Sequence, residues 1–397
     1  MDKVILRRGR EESIRRFHPW VFSGSVAKIE GTPKEGDLVG VWTSDGEMIA
    51  SGHYQIGSIT VRILCFGPEA PSDGFYTEML RRALEMRISV GLHGNPGTNC
   101  YRLVHGEGDN LPGLVIDWYD GVCVLQAHSA GMFRDRHRIA DALKEVYGPS
   151  LKAVYDKSSG TAPYKAGLDL QDGYLYKADG FEDGDTVVLE NGHKFLVNWT
   201  EGQKTGFFLD QRENREKVGR IAAGHNVLNL FCYTGGFSIY ALDNGAKSVT
   251  SVDSSRKAME MVDRNVALSG ADPSRHTSIC DDAIEYLKVI PEGKFDLIIV
   301  DPPAFAKHRG ALRNALRAYQ RLSTAAISKV ARGGFVFTFS CSQVVDKEAF
   351  SLAVFSAAAA TGRKVRILDR LNQPGDHAVN IYHPEGEYLK GLLLYVE

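Results

Sequence analysis

Residues 227–237 read Val227-Leu228-Asn229-Leu230-Phe231-Cys232-Tyr233-Thr234-Gly235-Gly236-Phe237. A short apolar run enters a loop of small residues, and a helical stretch follows. This is the pattern of a buried strand whose carboxyl end opens onto a helix. Gly235 and Gly236 lack a Cβ, which lets a ligand approach the backbone. From residue 226 onward, apolar runs at 227–231, 248–252, 295–300 and 334–339 alternate with helical stretches at 236–244, 255–268 and 311–331. That alternation predicts a mostly parallel sheet with helices on both faces. In such sheets ligands lie just beyond the carboxyl ends of the strands.

The residues at those ends carry chemistry. The run 248–252 stops at Asp253, 17 residues after Gly236. A carboxylate there is placed to accept both hydroxyls of an adenosine ribose. No GxGxxG fingerprint is present, so nothing supports a pyrophosphate cradle. A ribose-binding acid without that fingerprint implies an adenosyl cofactor such as S-adenosylmethionine (SAM). A nucleotide-free α/β core with a tight turn is the alternative. After a third short strand stand Asp281 and Asp282. Asp282 is the preferred partner for the adenine amino group, although acids also gather at helix N-termini for electrostatic reasons.

The run Phe295-Asp296-Leu297-Ile298-Ile299-Val300 ends in Asp301-Pro302-Pro303-Ala304-Phe305. The prolines fix φ and remove N–H donors, so the chain leaves the sheet rigidly. The Asp301 carboxyl and its neighbouring carbonyls are then expected to face a planar substrate bearing an amine. The last run, 335–339, leads into Ser340-Cys341-Ser342. Cys232 and Cys280 read as small buried hydrophobes. Cys341 stands at the edge where substrate must lie and reads as a nucleophile, which a positive or polar neighbourhood would activate.

The chain has 397 residues, enough for two to three domains, with 43% hydrophobic and 24% charged residues. Its formal net charge of −2 excludes a uniformly basic coat but not a basic face. The six cysteines show no CxxC spacing, so no metal is expected and the thiols read as reduced. The charged N-terminus and the lack of a long apolar run predict no membrane span and a cytoplasmic address.

Residues 1–70 read as a β-rich domain with strands at 37–42, 48–54 and 59–64 and a short helix within 7–16. Residues 71–185 read as a small α+β domain with helices at 75–90 and 135–146 and strands at 101–105, 114–118 and 122–128. A hairpin, 186–189 and 193–197 around Asn191-Gly192, opens the third domain, 186–397. The acids Asp179, Glu182, Asp183, Asp185 and Glu190 read as a solvated boundary.

Charge is unevenly spread. Residues 1–28, which include Arg7 and Arg10, hold seven basic and three acidic side chains, whereas 71–190 hold 12 and 18. Between Asp301 and Asp346 stand seven basic residues and no acid. Arg309, Arg313, Arg317 and Arg321 recur every four residues and make a one-faced stripe on a helix. Like charges at that spacing destabilise a helix by a few tenths of a kcal/mol per pair. Folding therefore does not explain the stripe. A phosphate-facing surface does; a solvated face balanced by acids from another domain is the alternative.

Several stretches together resemble a known family. Gly9-Arg10 with His18-Pro19-Trp20-Val21-Phe22-Ser23-Gly24, the run 106–114, the run Gly202-Gln203-Lys204-Thr205-Gly206-Phe207-Phe208-Leu209-Asp210-Gln211-Arg212, and Asp376-His377 with Tyr382 to Gly391 carry the likeness. The chain resembles, over nearly its whole length, the bacterial and archaeal 23S rRNA (cytosine-C5)-methyltransferases that carry an N-terminal PUA RNA-binding domain. The resemblance implies a PUA-like domain, an α+β middle domain and a Rossmann-like class I methyltransferase domain with a mostly parallel seven-stranded sheet. It implies SAM as cofactor and ribosomal RNA as partner; the oligomeric state stays open, a homodimer included. Thr205, Asp210, Gln211, Asn229, Phe231, Tyr233, Thr234, Gly235, Gly236, Asp253, Asp282 and Asp301 are then expected against the cofactor. Cys341 and Asp301 are the expected catalytic pair, and the C5-proton base is open between His377 and a water. Pro302, Pro303, Phe305, Arg309, Arg313, Arg317, Arg321, Arg7 and Arg10 are expected on the RNA. Two departures stand out: Ala304, with Lys307 three residues on, where the family often has Lys after Asp-Pro-Pro, and Gln343 where it often has Gly. Two other readings remain: an amino-group methyltransferase in which Cys341 is structural, and a non-catalytic RNA-binding assembly factor.

Overall fold

The computed structural model describes residues 1–163, 166–306 and 308–397; Lys307 lies outside the described residues. The chain divides into two compact units. One comprises residues 1–186, 197–209 and 375–386, and the other 187–196, 210–374 and 387–397. The expected 1–70 and 71–185 domains both fall within the first unit.

The first unit holds two sheets. Strands β1 (Asp2–Leu6), β2 (Trp20–Phe22), β3 (Val26–Glu30), β4 (Leu38–Trp42), β5 (Met48–Tyr54) and β6 (Ile59–Phe66) form a six-stranded sheet in the order β2-β6-β5-β4-β1-β3. Its core gathers Val4, Leu6, Val21, Val39, Val41, Val61 and Ile63 around Ile14 of the short helix α1 (Glu12–Arg15). The expected helix within 7–16 is thus only four residues long. The strand before it went unread because Arg7 and Arg8 mask its end.

Next come α2 (Phe75–Ser89), β7 (Cys100–His105), β8 (Leu114–Tyr119), β9 (Val122–Ala127), α3 (Ala130–Arg134), α4 (Arg136–Tyr147), β10 (Ala153–Asp156) and β11 (Gly173–Lys177). The five strands lie in the order β11-β10-β9-β8-β7. Leu80 and Ala83 of α2 and Ile139 and Leu143 of α4 share one core with them. A buried Arg87–Asp109 ion pair and a two-pronged Arg102–Asp117 pair, at 2.8 and 2.9 Å, tie down strand ends.

The hairpin β12 (Thr186–Glu190) and β13 (His193–Val197) turns through Asn191 at φ 50° and Gly192 at φ 84°. Two positive φ values in succession are the type I′ geometry that the Asn-Gly pair predicts.

The second unit then runs α5 (Arg212–Ala222), β14 (Asn226–Leu230), α6 (Gly236–Asp243), β15 (Ser248–Asp253), α7 (Arg256–Ser269), β16 (His276–Cys280), α8 (Ala283–Val289), β17 (Phe295–Val300), α9 (Leu312–Lys329), β18 (Val330–Ser340), α10 (Lys347–Thr361), β19 (Val365–Asn372) and β20 (Lys390–Val396). Its seven strands stand in the order β16-β15-β14-β17-β18-β20-β19. All pairings from β16 to β18 are parallel, and β20 inserts antiparallel to both neighbours. The order reverses at β14, which creates the crevice where such sheets bind ligands. Leu228 and Leu230 face a core with Leu287 of α8, Tyr319 and Leu322 of α9 and Phe350 of α10. Asn229, between them in the strand, faces α6 and donates to Ser238 at 2.8 Å.

The acidic boundary proves divided. Asp179, Glu182, Asp183 and Asp185 are exposed, as expected of a solvated edge. Glu190 is instead fully buried. Arg215 of α5 donates Nε and Nη2 to its two carboxylate oxygens, each at 2.7 Å, and the Tyr240 hydroxyl of α6 donates at 3.0 Å. This ion pair fastens the hairpin to the helices flanking β14. Removing one partner strands a buried charge at a cost of about 3–5 kcal/mol. Glu190→Gln should lower the urea midpoint accordingly; an unchanged midpoint would show that the pair is dispensable.

Candidate active site

The loop after β14 holds an unusual backbone. Phe231 and Tyr233 adopt φ of 57° and 47°, the left-handed region that bulky side chains avoid. Such strain persists only where surroundings over-determine it. Here Cys232 N donates to Val252 O at 3.1 Å, Tyr233 N to Asp253 Oδ2 at 3.0 Å, and Asn265 Nδ2 to Thr234 O at 2.9 Å. Gly235, at φ 82°, ends the turn, and a Cβ on Gly236 would stand 2.9 Å from Arg215 Cδ. Both glycines are therefore required by the local packing as well as by any ligand.

Asp253, at the end of β15, accepts Tyr233 N and also Ser255 N, the latter at 2.9 Å. Two backbone donors hold this half-buried carboxylate still, and each oxygen keeps a lone pair for a further donor. At the end of β16, Asp281 N donates to Asp253 O at 3.1 Å. Asp282 caps α8, with Oδ1 accepting from Ile284 N and Glu285 N. The capping role read for such acids is thus real, and Asp282 remains exposed at the same edge. Cys280 corrects an expectation: it is exposed, whereas Cys232 is buried as read.

The second cluster lies where β17 and β18 end side by side, with Val300 opposite Thr338. Gln211 Nε2 donates to Asp301 Oδ2 at 2.9 Å, and Tyr388 donates its hydroxyl to Asp210 Oδ2 at 2.7 Å. Asp210 Oδ1 is buried with no hydrogen-bond partner among the described residues. Burial, followed by the Asp210 charge, pushes the Asp301 carboxyl up to about 7. Burial, then Asp301 and Asp210, pushes the Cys341 thiol up to about 12. The activating positive surroundings expected of Cys341 are thus outweighed by two carboxyls, and the resting group is a thiol. Its Sγ lies 4.0 Å from Pro302 O.

Pro302 is buried and Pro303 exposed, while Phe305 packs its ring 4.8 Å from that of Tyr319. Arg309 lies in a single turn just before α9. Arg313, Arg317 and Arg321 share the solvent face of α9, opposite Ala315, Tyr319 and Leu322. All four arginines are exposed, and none pairs with an acid among the described residues.

Four of the expected residues lie in the first unit. Arg7 and Arg10 are exposed there, and Arg7 Nε donates to Val26 O at 3.1 Å. Thr205 is fully buried, donating to Asp117 Oδ2 at 2.6 Å with the Tyr119 hydroxyl 3.1 Å away. His377 is also in the first unit, buried between Asp376 and the His105 ring. Two residues were missed: Tyr388 and Lys390. Both stand in the terminal Tyr382 to Gly391 stretch, quoted above without a role for either.

The edge suits an adenosyl cofactor. A fixed acid ends β15, a tight glycine turn ends β14, and an orphaned carboxylate oxygen of Asp210 suits a cationic group. Among the described residues no helix is long and apolar enough to cross a membrane.

Comparison with known proteins agrees. Residues 101–378 match the family described as S-adenosylmethionine-dependent methyltransferase, and residues 4–66 match a PUA-like domain. The chain is 39% identical over 396 residues to the ribosomal RNA large subunit methyltransferase I of Aeromonas hydrophila, covering 98% of each. It is 36% identical to the Escherichia coli (strain SMS-3-5) protein of the same name, again over 98% of each. A crystal structure described as a methyltransferase complexed with SAH superposes with a TM-score of 0.85 at 22% identity, covering all of both chains, which speaks to the fold. With the family matched over residues 101–378 and full-length relatives at 36–39% identity, the chain belongs to the S-adenosylmethionine-dependent methyltransferases.

Proposed function

We propose that this methyltransferase forms 5-methylcytosine in large-subunit ribosomal RNA, in the cytoplasm, through a covalent bond between Cys341 and C6 of the target base. One observation carries it: a thiol and a carboxyl poised near neutrality end neighbouring parallel strands, Asp301 after β17 and Cys341 after β18. The relatives' name, ribosomal RNA large subunit methyltransferase I, supports the substrate.

Cytosine C5 is a weak nucleophile until C6 is attacked. SAM, when bound, supplies an electrophilic methyl group. The residues suited to hold it are Asp253, the 231–236 turn, Asp282, Asp210 and Gln211, with Asn229 supporting from a buried position. Asp301, as a carboxylate, takes the Cys341 proton and gives it to N3 of the ring. The sulfur electron pair forms the S–C6 bond, and the ring electrons move toward C5. After methyl transfer the C5 proton leaves to water, the S–C6 bond breaks, and the departing thiolate recovers its proton from N3 by way of Asp301. Pro302 and Pro303 hold the Asp301 loop rigid, and Phe305 offers a ring beside it. The base must leave its stack to reach the edge. The exposed arginines of α9, with Arg309, supply phosphate contacts, and residues 1–70, with Arg7 and Arg10, act as the RNA-binding domain of a chain whose further domains are 71–185 and 186–397.

Cys341→Ala should abolish 5-methylcytosine formation on ribosomal RNA while calorimetric SAM binding persists. Methylation at the wild-type rate would refute the covalent route. Arg313→Ala with Arg317→Ala should weaken RNA binding and make the dependence of log K on log salt shallower by about 1.4–1.8, two phosphate contacts' worth. An unchanged slope would remove α9 from the RNA interface.

A further inference from the structure

The last strand brings an ion to the active edge that the reaction above does not use. Lys390, the first residue of β20, pairs cross-strand with Ser340, the residue before Cys341. Its side chain is buried, at 5% exposure. Nζ donates to Ser342 O at 2.6 Å and to Val345 O at 2.5 Å. Among the described residues no carboxylate lies within 4.0 Å of it. A buried ammonium with no carboxylate in direct contact is costly, and a methionine would fill the same space without that cost. The groups facing it are the Cys341 thiol, the Asp346 and Glu387 carboxylates and the Lys347 ammonium. The thiol in turn faces Asp301 and Asp210, and Lys390 is the cation acting on it.

We propose that Lys390 is a positioning residue for Cys341: its ammonium, pinned by the carbonyls of 342 and 345, fixes the turn after the thiol and stabilises the thiolate against Asp301 and Asp210. The catalytic meaning of this contact rests on Cys341 being the nucleophile. The electrostatic contact does not, and it is tested without RNA or SAM.

Burial pulls the Lys390 ammonium down to about 8. The sign follows. Below about pH 8 the lysine is charged and favours the thiolate; above it the charge, and the support, are lost. Asp301, at about 7, is already ionised over that upper range.

The test is alkylation of Cys341 by iodoacetamide in the full-length protein, followed by mass spectrometry of its peptide from pH 7 to 10. A thiol far below its pKa reacts about tenfold faster per pH unit, because only the thiolate reacts. Wild type should rise less than tenfold between pH 8 and 9, as Lys390 discharges. Lys390→Arg, charged throughout, should keep the tenfold rise. Lys390→Met should also rise tenfold but run about tenfold slower than wild type at pH 7.5. Lys390→Met reproducing the wild-type rate and slope would overturn the proposal. If Lys390→Met fails to fold by circular dichroism, the Arg variant decides alone, and a slope like that of wild type overturns it. A merely structural clamp changes rates without changing the slope between pH 8 and 9. Methylation surviving in Cys341→Ala would sink the nucleophile reading and leave this result standing, so the two failures are separable.

Discussion

Parallel strands bury both faces and end at a common edge, and in this protein that edge collects the reactive groups. β14, β15, β17 and β18 run in one direction, so the 231–236 turn, Asp253, Asp301 and Cys341 are delivered to one side of the second unit. Backbone hydrogen bonding within the sheet sets their spacing, not contacts among the groups themselves. The strained φ angles at Phe231 and Tyr233 are tolerated because strands on either side hold the loop. The buried Glu190–Arg215 pair secures the helices that close this edge.

Desolvation then decides the electrostatics. Burial, with the Asp210 charge beside them, disfavours ionisation of the Asp301 carboxyl and the Cys341 thiol. A carboxyl near 7 serves as both acceptor and donor of a proton at cellular pH, which a solvated aspartate does poorly. A thiol near 12 stays protonated at neutral pH. The lysine on β20 opposes the two carboxyls, and the strand that carries it is the one antiparallel member of the sheet.

Much of this was legible in the sequence. Apolar runs marked β14, β17 and β18 because buried parallel strands must be apolar throughout, and the glycine turn, the acid and the thiol that follow them marked the edge. The Asn191-Gly192 turn and the arginine stripe were equally direct, since both follow from local spacing. What escaped were partnerships made across the chain. Glu190 looked like one more exposed acid, and only the fold brings Arg215 and Tyr240 to it. Cys280 looked buried because its strand is short and apolar in places, yet β16 is the sheet's edge. Lys390 carried no signal of its own in the sequence, and only the insertion of β20 beside β18 brings it to the thiol's strand. The rise of the Cys341 pKa was likewise invisible, because it depends on Asp210, 131 positions away in the chain.

The central claim is a transient bond from Cys341 to a cytosine ring. It is most directly tested with ribosomal RNA carrying 5-fluorocytosine, incubated with the protein and SAM. Fluorine replaces the proton that must leave C5, so elimination stops after methyl transfer. A denaturation-resistant protein–RNA adduct, mapped by mass spectrometry to the peptide containing Cys341, is the predicted result. Full methyl-acceptor activity on ordinary RNA with no adduct on the fluorinated RNA would contradict it.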